Sequence, residues 1–360
     1  MHILRLLASL NLGLVIAVVS QARVPVAGPT SLVTFVEAAE GTQAPPLTTP
    51  ARADTWTPPR TPWGDPDLQG IWTGSTLTPV ERPREFAGKA FLTEEEAAAL
   101  EARAAENRVD RPPRAGDPGT YNQVWFDPGT KVVPSRRSSL VVDPPDGRIP
   151  YLPEARKRDD AQAEFRVGGA RDSWLDVDTG ERCLGDGLPM IWLGYNPNHH
   201  ILQTPGYVVI LHEMFRERRI IPLDGRPHGN IGQWHGDMRG HWEGNTLVVD
   251  TTNFIDRMRY RWAALWRAPS ETMHMVERFT RIDAATIDYQ VTIEDPAKFT
   301  KPWTLALPLT TDQAARGVTE GRLYEYACHE GNYSIVNVLS GARAQEKSRP
   351  SEARAPREGT

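Results

Sequence analysis

The sequence predicts a mainly β fold, an antiparallel meander that closes into a calycin-like barrel or a sandwich and carries a few surface helices. From residue 138 onwards, apolar and polar residues alternate with period two, which is typical of strands with one buried face. Tight turns separate these runs, for example at residues 243–245 and 283–285. The chain also contains 11 Trp and 31 Pro, a composition that favours short strands and rigid loops over helical bundles.

The first 60 residues predict export, followed by an extended arm. Arg5 precedes an apolar run over residues 6–19, and small residues follow it. This order predicts a signal peptide over residues 1–22, because the run is shorter than the roughly 20 apolar residues that a membrane-spanning helix needs. An uncleaved membrane anchor is the alternative. Residues 23–60 are rich in Pro and Ala, which predicts a linker.

Two helices are expected before the main run of strands. Residues 67–75 predict a first strand. Thr93 and Glu96 have the spacing of a capping box ahead of strong helix formers, which predicts a helix over residues 93–108. Residues 154–166 predict a second helix, and the polarity of both helices places them at the surface.

Strand-like runs joined by short connections make up most of the remaining chain. They cover residues 207–214, 218–223, 239–244, 246–254, 274–282, 286–295, 303–309 and 322–329. A meander of this length must curl or fold on itself to hide its edges, and its interior can hold a small ligand. Residues 332–345 predict a closing helix, so one domain is expected over residues 61–345, with a disordered tail over residues 346–360.

Charge and motifs exclude several classes of function. The net charge is −5, and the absence of a basic stripe with interleaved aromatic residues argues against nucleic acid. The sequence contains no Gly-x-Ser-x-Gly elbow, no phosphate-binding glycine loop and no Cys-x-x-Cys motif. A small organic molecule is therefore the expected partner. No stable membrane span is expected after signal cleavage, and the oligomeric state is left open.

Several phrases of the sequence carry a family resemblance. The phrases 61-TPWGDPDLQGIWTGS-75, 239-RGHWEGNTLVVDTTNF-254 and 323-LYEYACHEGNY-333 resemble a family of exported bacterial proteins of unassigned activity, frequent in acidobacteria and proteobacteria. The Gly-x-Trp phrase also resembles calycin barrels such as lipocalins. The resemblance spans about residues 60 to 345 and implies export, but it brings no activity with it.

The only two cysteines are Cys183 and Cys328. In an oxidising compartment they predict a disulfide that closes a long loop, and two buried free thiols are the alternative. No local feature marks either cysteine as catalytic.

Carboxylates inside the predicted strands form the first candidate site. Glu277 and Glu325 interrupt otherwise apolar or aromatic rows, and His329 shares a strand face with Glu325 by even spacing. Inside a barrel these three side chains would converge, and burial would raise the pKa of a carboxyl group for acid–base work. The alternative is a set of ion pairs with strand arginines on the outer face.

The loop over residues 224–244 forms the second candidate site. It is long for a hairpin connection and offers His235 and Asp237 for proton transfer. The predicted substrate-binding side chains, in this loop and in the last strand, are Trp234, Arg239, Trp242, Tyr324 and Tyr326. A loop that only plugs one end of a barrel is the alternative.

A metal site is a further alternative, with His212, Glu213 and His228 as ligands for a divalent ion. The histidine spacing matches no established metal motif, so the sequence predicts no cofactor. Two functions follow from these sites. The first is an exported hydrolase, lyase or isomerase that performs cofactor-independent acid–base chemistry on a small organic molecule. The second is a periplasmic binding or carrier protein for an apolar or aromatic ligand.

Overall fold

The computed structural model describes residues 56–107, 129–168, 171–185, 187–189, 196–258, 265–318 and 323–348. These residues fall within one compact unit, Ala44–Thr360. The predicted signal peptide, most of the predicted linker and most of the predicted tail lie outside the described residues.

Eleven strands in one antiparallel sheet confirm the mainly β prediction. They are β1 (Gly70–Thr73), β2 (Val141–Asp143), β3 (Asn198–Thr204), β4 (Tyr207–His212), β5 (Arg218–Pro222), β6 (Asp237–Glu243), β7 (Thr246–Thr252), β8 (His274–Arg281), β9 (Thr286–Glu294), β10 (Trp303–Ala306) and β11 (Leu309–Thr310). The predicted turns at residues 243–245 and 283–285 connect β6 to β7 and β8 to β9.

The order of strands is β5-β4-β3-β1-β11-β9-β8-β7-β6, with β10 pairing both β9 and β2. Two meanders, β3 to β5 and β6 to β9, are therefore joined in the middle by β1 and β11, which are distant in sequence. Thr73 of β1 faces Thr310 of β11 at this junction.

The sheet is not closed into a barrel, because its edge strands β5 and β6 form no hydrogen-bonded ladder. The same two edges nevertheless meet through side chains. Arg219 Nε lies 3.4 Å from Met238 Sδ, and a Cβ added at Gly240 would lie 2.7 Å from Ile221 Cγ2. The sheet must be strongly curled to bring its first and last strands together, and the line where they meet is called the seam below.

Alternation along the strands fills the inside of this curled sheet. In β9, Ile287, Tyr289, Val291 and Ile293 are buried, whereas the residues that alternate with them are partly exposed. Trp72 and Trp303 are the largest fully buried side chains. Burying side chains of this size contributes about 1.5–3 kcal/mol each, which makes the interior the main source of stability.

Three α-helices lie outside the sheet: α1 (Glu94–Asn107), α2 (Pro153–Gly168) and α3 (Ser334–Ser348). The predicted capping box is present at the start of α1, where Glu96 N donates to Thr93 Oγ1 at 3.2 Å and Thr93 N donates to Glu96 Oε2 at 2.8 Å. No helix in the described part of the chain is both long and apolar enough to cross a membrane.

The predicted strand over residues 322–329 is wrong. Residues 323–327 have no regular structure, and residues 328–331 form a turn before α3. The bonded pair Cys183–Cys328, with Cα atoms 5.7 Å apart, confirms the predicted disulfide and fixes this segment to the loop around residue 183. The sheet instead contains β3, a strand that the sequence did not predict.

Candidate functional site

A buried ion pair occupies the interior of the sheet. Arg219 of β5 forms a bidentate pair with Glu277 of β8, with Nη1 and Oε1 at 2.9 Å, and Tyr289 Oη donates to the same Oε1 at 2.7 Å. Both charged side chains are almost inaccessible. Glu277 therefore faces inwards, as expected, but its oxygens are already occupied by Arg219 and Tyr289.

Two histidines lie beside this ion pair. His199 and His212 face each other across β3 and β4, with their Nδ1 atoms 2.7 Å apart. Burial, and next the charge of Arg219, lowers the pKa of His199 to about 4. Burial also lowers the pKa of His212 well below its usual value, assisted by His199 and Arg219. Both imidazoles are consequently neutral near pH 7.

The cavity between these groups is about 20 Å³ in volume, which is enough for one water molecule and too small for an organic substrate. The interior of the sheet is therefore not the substrate site that the sequence predicted. The single-water cavity does lie against polar groups, and His212 Nε2 is buried without a hydrogen-bond partner among the described residues.

Glu325 and His329 do not converge with Glu277, and this prediction is wrong. Both residues are exposed, and Glu325 forms a surface ion pair with Arg216. The reason is the irregular backbone of residues 323–331, which removes the strand alternation that would have turned these side chains inwards. We assign neither residue a role in proton transfer.

Neither of the two tyrosines of this segment lines the interior cavity. The Tyr324 side chain is 59% exposed, so it binds nothing in the interior. Tyr326 packs on Phe215, with ring centroids 4.9 Å apart. Their predicted substrate-binding role is replaced by docking of the C-terminal segment onto the turn between β4 and β5.

An open groove of about 740 Å³ lies on the outer surface along the seam. One wall comes from β4 and β5, and the other from the loop that enters β6. The lining residues are Tyr207, Arg218, Ile220, Pro222, Arg226, Gly232, Gln233, Trp234, His235, Gly236, Asp237, Met238 and Arg239. Four predicted site residues, Trp234, His235, Asp237 and Arg239, are thus brought to one groove.

A histidine–glutamate pair lies at the groove, through its lining residue His235. His235 Nε2 lies 3.0 Å from Glu217 Oε1, although the contact lacks hydrogen-bond geometry. Glu217 is nearly buried, and neither of its carboxylate oxygens has a hydrogen-bond partner among the described residues. Because Nε2 is buried against Glu217, Nδ1 is the ring nitrogen of His235 that a ligand in the groove can reach.

The backbone of Gly185 covers the Glu217 carboxylate. A Cβ at this position would lie 1.3 Å from Glu217 Oε1, and the backbone φ is +85°. Only glycine meets both requirements. Gly185 follows Cys183 closely, so the disulfide to Cys328 holds the loop that covers the carboxylate.

The Asp237 carboxylate, which the sequence predicts for proton transfer, is held by two donors. Its Oδ1 accepts from Arg239 Nη1 at 2.5 Å, and its Oδ2 accepts from Gly229 N at 2.7 Å. Burial alone would raise the pKa of Asp237, but these donors hold it below its usual value. The carboxylate is therefore charged and engaged in fixing Arg239 and the loop.

Trp242 does not line the groove. It is partly buried against the main hydrophobic core, and its Nε1 has no hydrogen-bond partner among the described residues. Within β6, Trp242 projects from the same face of the strand as Met238 and Gly240, and these two residues contact β5. The structure therefore does not bring Trp242 together with the other predicted site residues of this loop.

The three residues of the metal alternative each have other partners. Glu213 accepts hydrogen bonds from Asn196, Asn198 and the Tyr324 backbone. His212 is bound to His199, as described above. No group of three His, Cys, Asp or Glu side chains within the described residues could hold a metal ion, so this predicted ligand set is wrong.

His228 belongs to a polar chain on the outer face of the sheet. His228 Nε2 lies 2.8 Å from Asp250 Oδ1, and His274 Nε2 lies 2.7 Å from Asp250 Oδ2. The hydrogen bond to Asp250 raises the pKa of His274, against the effect of burial. Asp250 is partly exposed and joins the two histidines on this face.

Comparison with family models, with curated proteins and with solved structures finds no match to this chain. The candidate function therefore depends on the chemistry of the groove alone.

Proposed function

We propose that the protein is an exported enzyme that performs acid–base chemistry on a small organic molecule in the seam groove, with no cofactor. The observation that supports this function best is the His235–Glu217 pair, a partly exposed imidazole backed by a nearly buried carboxylate. The disulfide is compatible with an oxidising compartment. Export to the periplasm or the medium is part of the proposal.

In this proposal His235 is the general base, and Glu217 is a positioning residue. The Nδ1 atom takes a proton from the bound molecule or from a water, and Glu217 stabilises the imidazolium that forms. The same proton then returns to the product or leaving group. Trp234 and Arg239 line the groove beside His235 and would orient the bound molecule.

A binding or carrier protein is the second candidate. The apolar and aromatic part of the groove wall, Tyr207, Ile220 and Trp234, favours it. The two candidates differ in one respect, because a carrier needs the groove but does not need a proton acceptor at position 235.

The enzyme proposal can be tested with two generic probes of base catalysis. Nitrobenzisoxazole reports on proton abstraction from carbon, and p-nitrophenyl acetate reports on hydrolysis. We expect turnover by the purified protein, and His235→Gln should lower kcat by about a hundredfold or more, because the base is lost. Glu217→Gln should lower kcat with little change in KM, as expected of a residue that acts through His235.

His241→Gln is the matched control. His241 is exposed on the outer side of β6 and pairs with Glu243, so its removal should leave both rates unchanged. Equal rates for the wild type and His235→Gln on both probes would reject the enzyme proposal. No turnover of either probe by the wild type, together with ligand binding that survives in His235→Gln, would assign the protein to the carrier class.

A further inference from the structure

The charges around the groove leave one guanidinium without a partner. Arg239 is neutralised by Asp237, and Arg226 forms an ion pair with Asp224. Arg218 is exposed and lines the groove, and its side chain forms no ion pair or hydrogen bond with the described residues. Its guanidinium therefore presents an unpaired positive charge to the groove, and an anionic group of a ligand would pair with it.

An apolar cross-strand row begins at the groove, where Ile220 is a lining residue. Leu202, Val209 and Ile220 lie opposite one another on β3, β4 and β5. Their side chains face the outer surface, where Leu202 is 40% and Ile220 is 62% exposed. An exposed row of this kind next to a groove is typical of a ligand-binding surface.

Arg218 lies two residues before Ile220, so both side chains project from the same face of β5. Trp234 faces them from the opposite wall. A flat apolar body can thus lie between Ile220 and Trp234 while an anionic group at its end reaches Arg218. The planar guanidinium matches a carboxylate with two parallel hydrogen bonds.

We infer that the groove binds aromatic monocarboxylates, with Arg218 contacting the carboxylate and with Ile220 and Trp234 contacting the ring. The inference rests on the proposed function, because it names the substrate class of the same groove. It also identifies Arg218 as a specificity-determining residue that the sequence analysis did not select.

The test uses naphthoate and its neutral amide, naphthamide, which differ in charge but hardly in shape. Isothermal titration of the full chain should show naphthoate binding about tenfold tighter than naphthamide or more. Arg218→Gln should remove this preference and leave naphthamide binding unchanged. Ile220→Ser should weaken both ligands, because it removes apolar contact and leaves the charge in place.

Arg278→Gln is the control for a general loss of positive charge. Arg278 lies on the outer side of β8, pairs with Glu243 and does not line the groove, so the preference for naphthoate should persist. Acetate and inorganic phosphate test the need for the apolar body, and both should bind at least about tenfold more weakly than naphthoate.

Equal binding of naphthoate and naphthamide, or an unchanged preference in Arg218→Gln, would overturn the inference. So would phosphate binding as tight as that of naphthoate. A dimer that Ile220→Ser disperses, together with no naphthoate binding, would assign the apolar row to self-association. Failure of the proposed function can be distinguished from failure of this inference. The protein could still bind naphthoate even if its His235→Gln variant turned over both probes at the wild-type rate.

Discussion

His199 and His212 share a single contact between two Nδ1 atoms, so only one proton can lie between them. A second proton would place a charge in the interior next to Arg219, where no carboxylate is free to balance it because Glu277 is bound by Arg219 and Tyr289. This explains why the pKa of both imidazoles is lowered, with burial as the main cause.

Acid should therefore destabilise the fold before the carboxylates titrate. The pKa of His199 is about 4 when folded against 6.5 as its usual value, so the unfolded chain binds more protons between these values. Stability is full above pH 6.5 and falls as the pH drops towards 4, by about 3 kcal/mol for one such histidine. Urea unfolding followed across this range measures the loss. His274 acts in the opposite direction, because its raised pKa makes its contribution fade as the pH rises.

The double variant His199→Leu/His212→Leu is the direct comparison for this loss. Its stability should depend much less on pH between 6.5 and 4, whatever its stability at neutral pH. The exposed His241→Gln should retain the wild-type dependence. A wild-type protein whose unfolding free energy is flat over this range would contradict neutral burial of the pair.

At the residue scale, the sequence predicted one half of the groove and not the other. Trp234, His235 and Arg239 are close in sequence, so a single loop was enough to group them. Glu217 and Arg218 lie in and just after the turn between two strands, and no local pattern relates them to residue 235. Their proximity depends on β5 meeting β6 at the seam, which is a property of the whole sheet.

At the element scale, the docking of residues 323–331 shows why a strand pattern can mislead. The alternating letters of 322-RLYEYACH-329 favour a strand. In the structure, Tyr324 N instead donates to Glu213 Oε1 at 3.0 Å, Tyr326 packs against Phe215 with its ring tilted, and Cys328 is bonded to Cys183. These long-range contacts override a local preference that amounts to about 1 kcal/mol or less per residue.

The disulfide should stabilise both the fold and the cover over Glu217. It closes a sequence separation of 145 residues, for which the chain-entropy model gives about 5 kcal/mol. The double variant Cys183→Ser/Cys328→Ser should lower the unfolding free energy by several kcal/mol, up to about that amount. Reductant should lower the denaturation midpoint of the wild type but leave that of the double variant unchanged. A wild-type midpoint indifferent to reductant would show that the bond adds no stability.

At the scale of the whole molecule, the sequence predicted the mainly β class, three helix positions and most strands, because alternation, capping and turns are local signals. The order of strands was not predictable in the same way. β1 and β11 pair across more than two hundred residues, and their short runs carry no information about each other. Of the two predicted arrangements, a barrel or a sandwich, the closed barrel is not formed. The reason is related, since hydrogen bonding between β5 and β6 depends on the curvature of nine successive strands.

The seam depends on the absence of a side chain at Gly240. A Cβ there would lie 2.7 Å from Ile221 Cγ2 and 2.7 Å from Leu223 Cδ2, so Gly240→Ala must push the two edges apart. We expect a loss of about 1–3 kcal/mol in the free energy of unfolding. Amide hydrogen exchange along β5 should also become faster, because β6 then protects this edge strand less well from solvent.

The same substitution at a glycine with open surroundings separates this effect from a general effect of alanine. Gly341 lies in α3 with nothing within 4 Å of an added Cβ, so Gly341→Ala should be neutral or stabilising by up to about 1 kcal/mol. The penalty of Gly240→Ala should shrink in an Ile221→Ala/Leu223→Ala background, because these changes remove both atoms that clash. An equal penalty in both backgrounds would mean that the edges do not meet at Gly240, and the groove along the seam would then lose its structural basis.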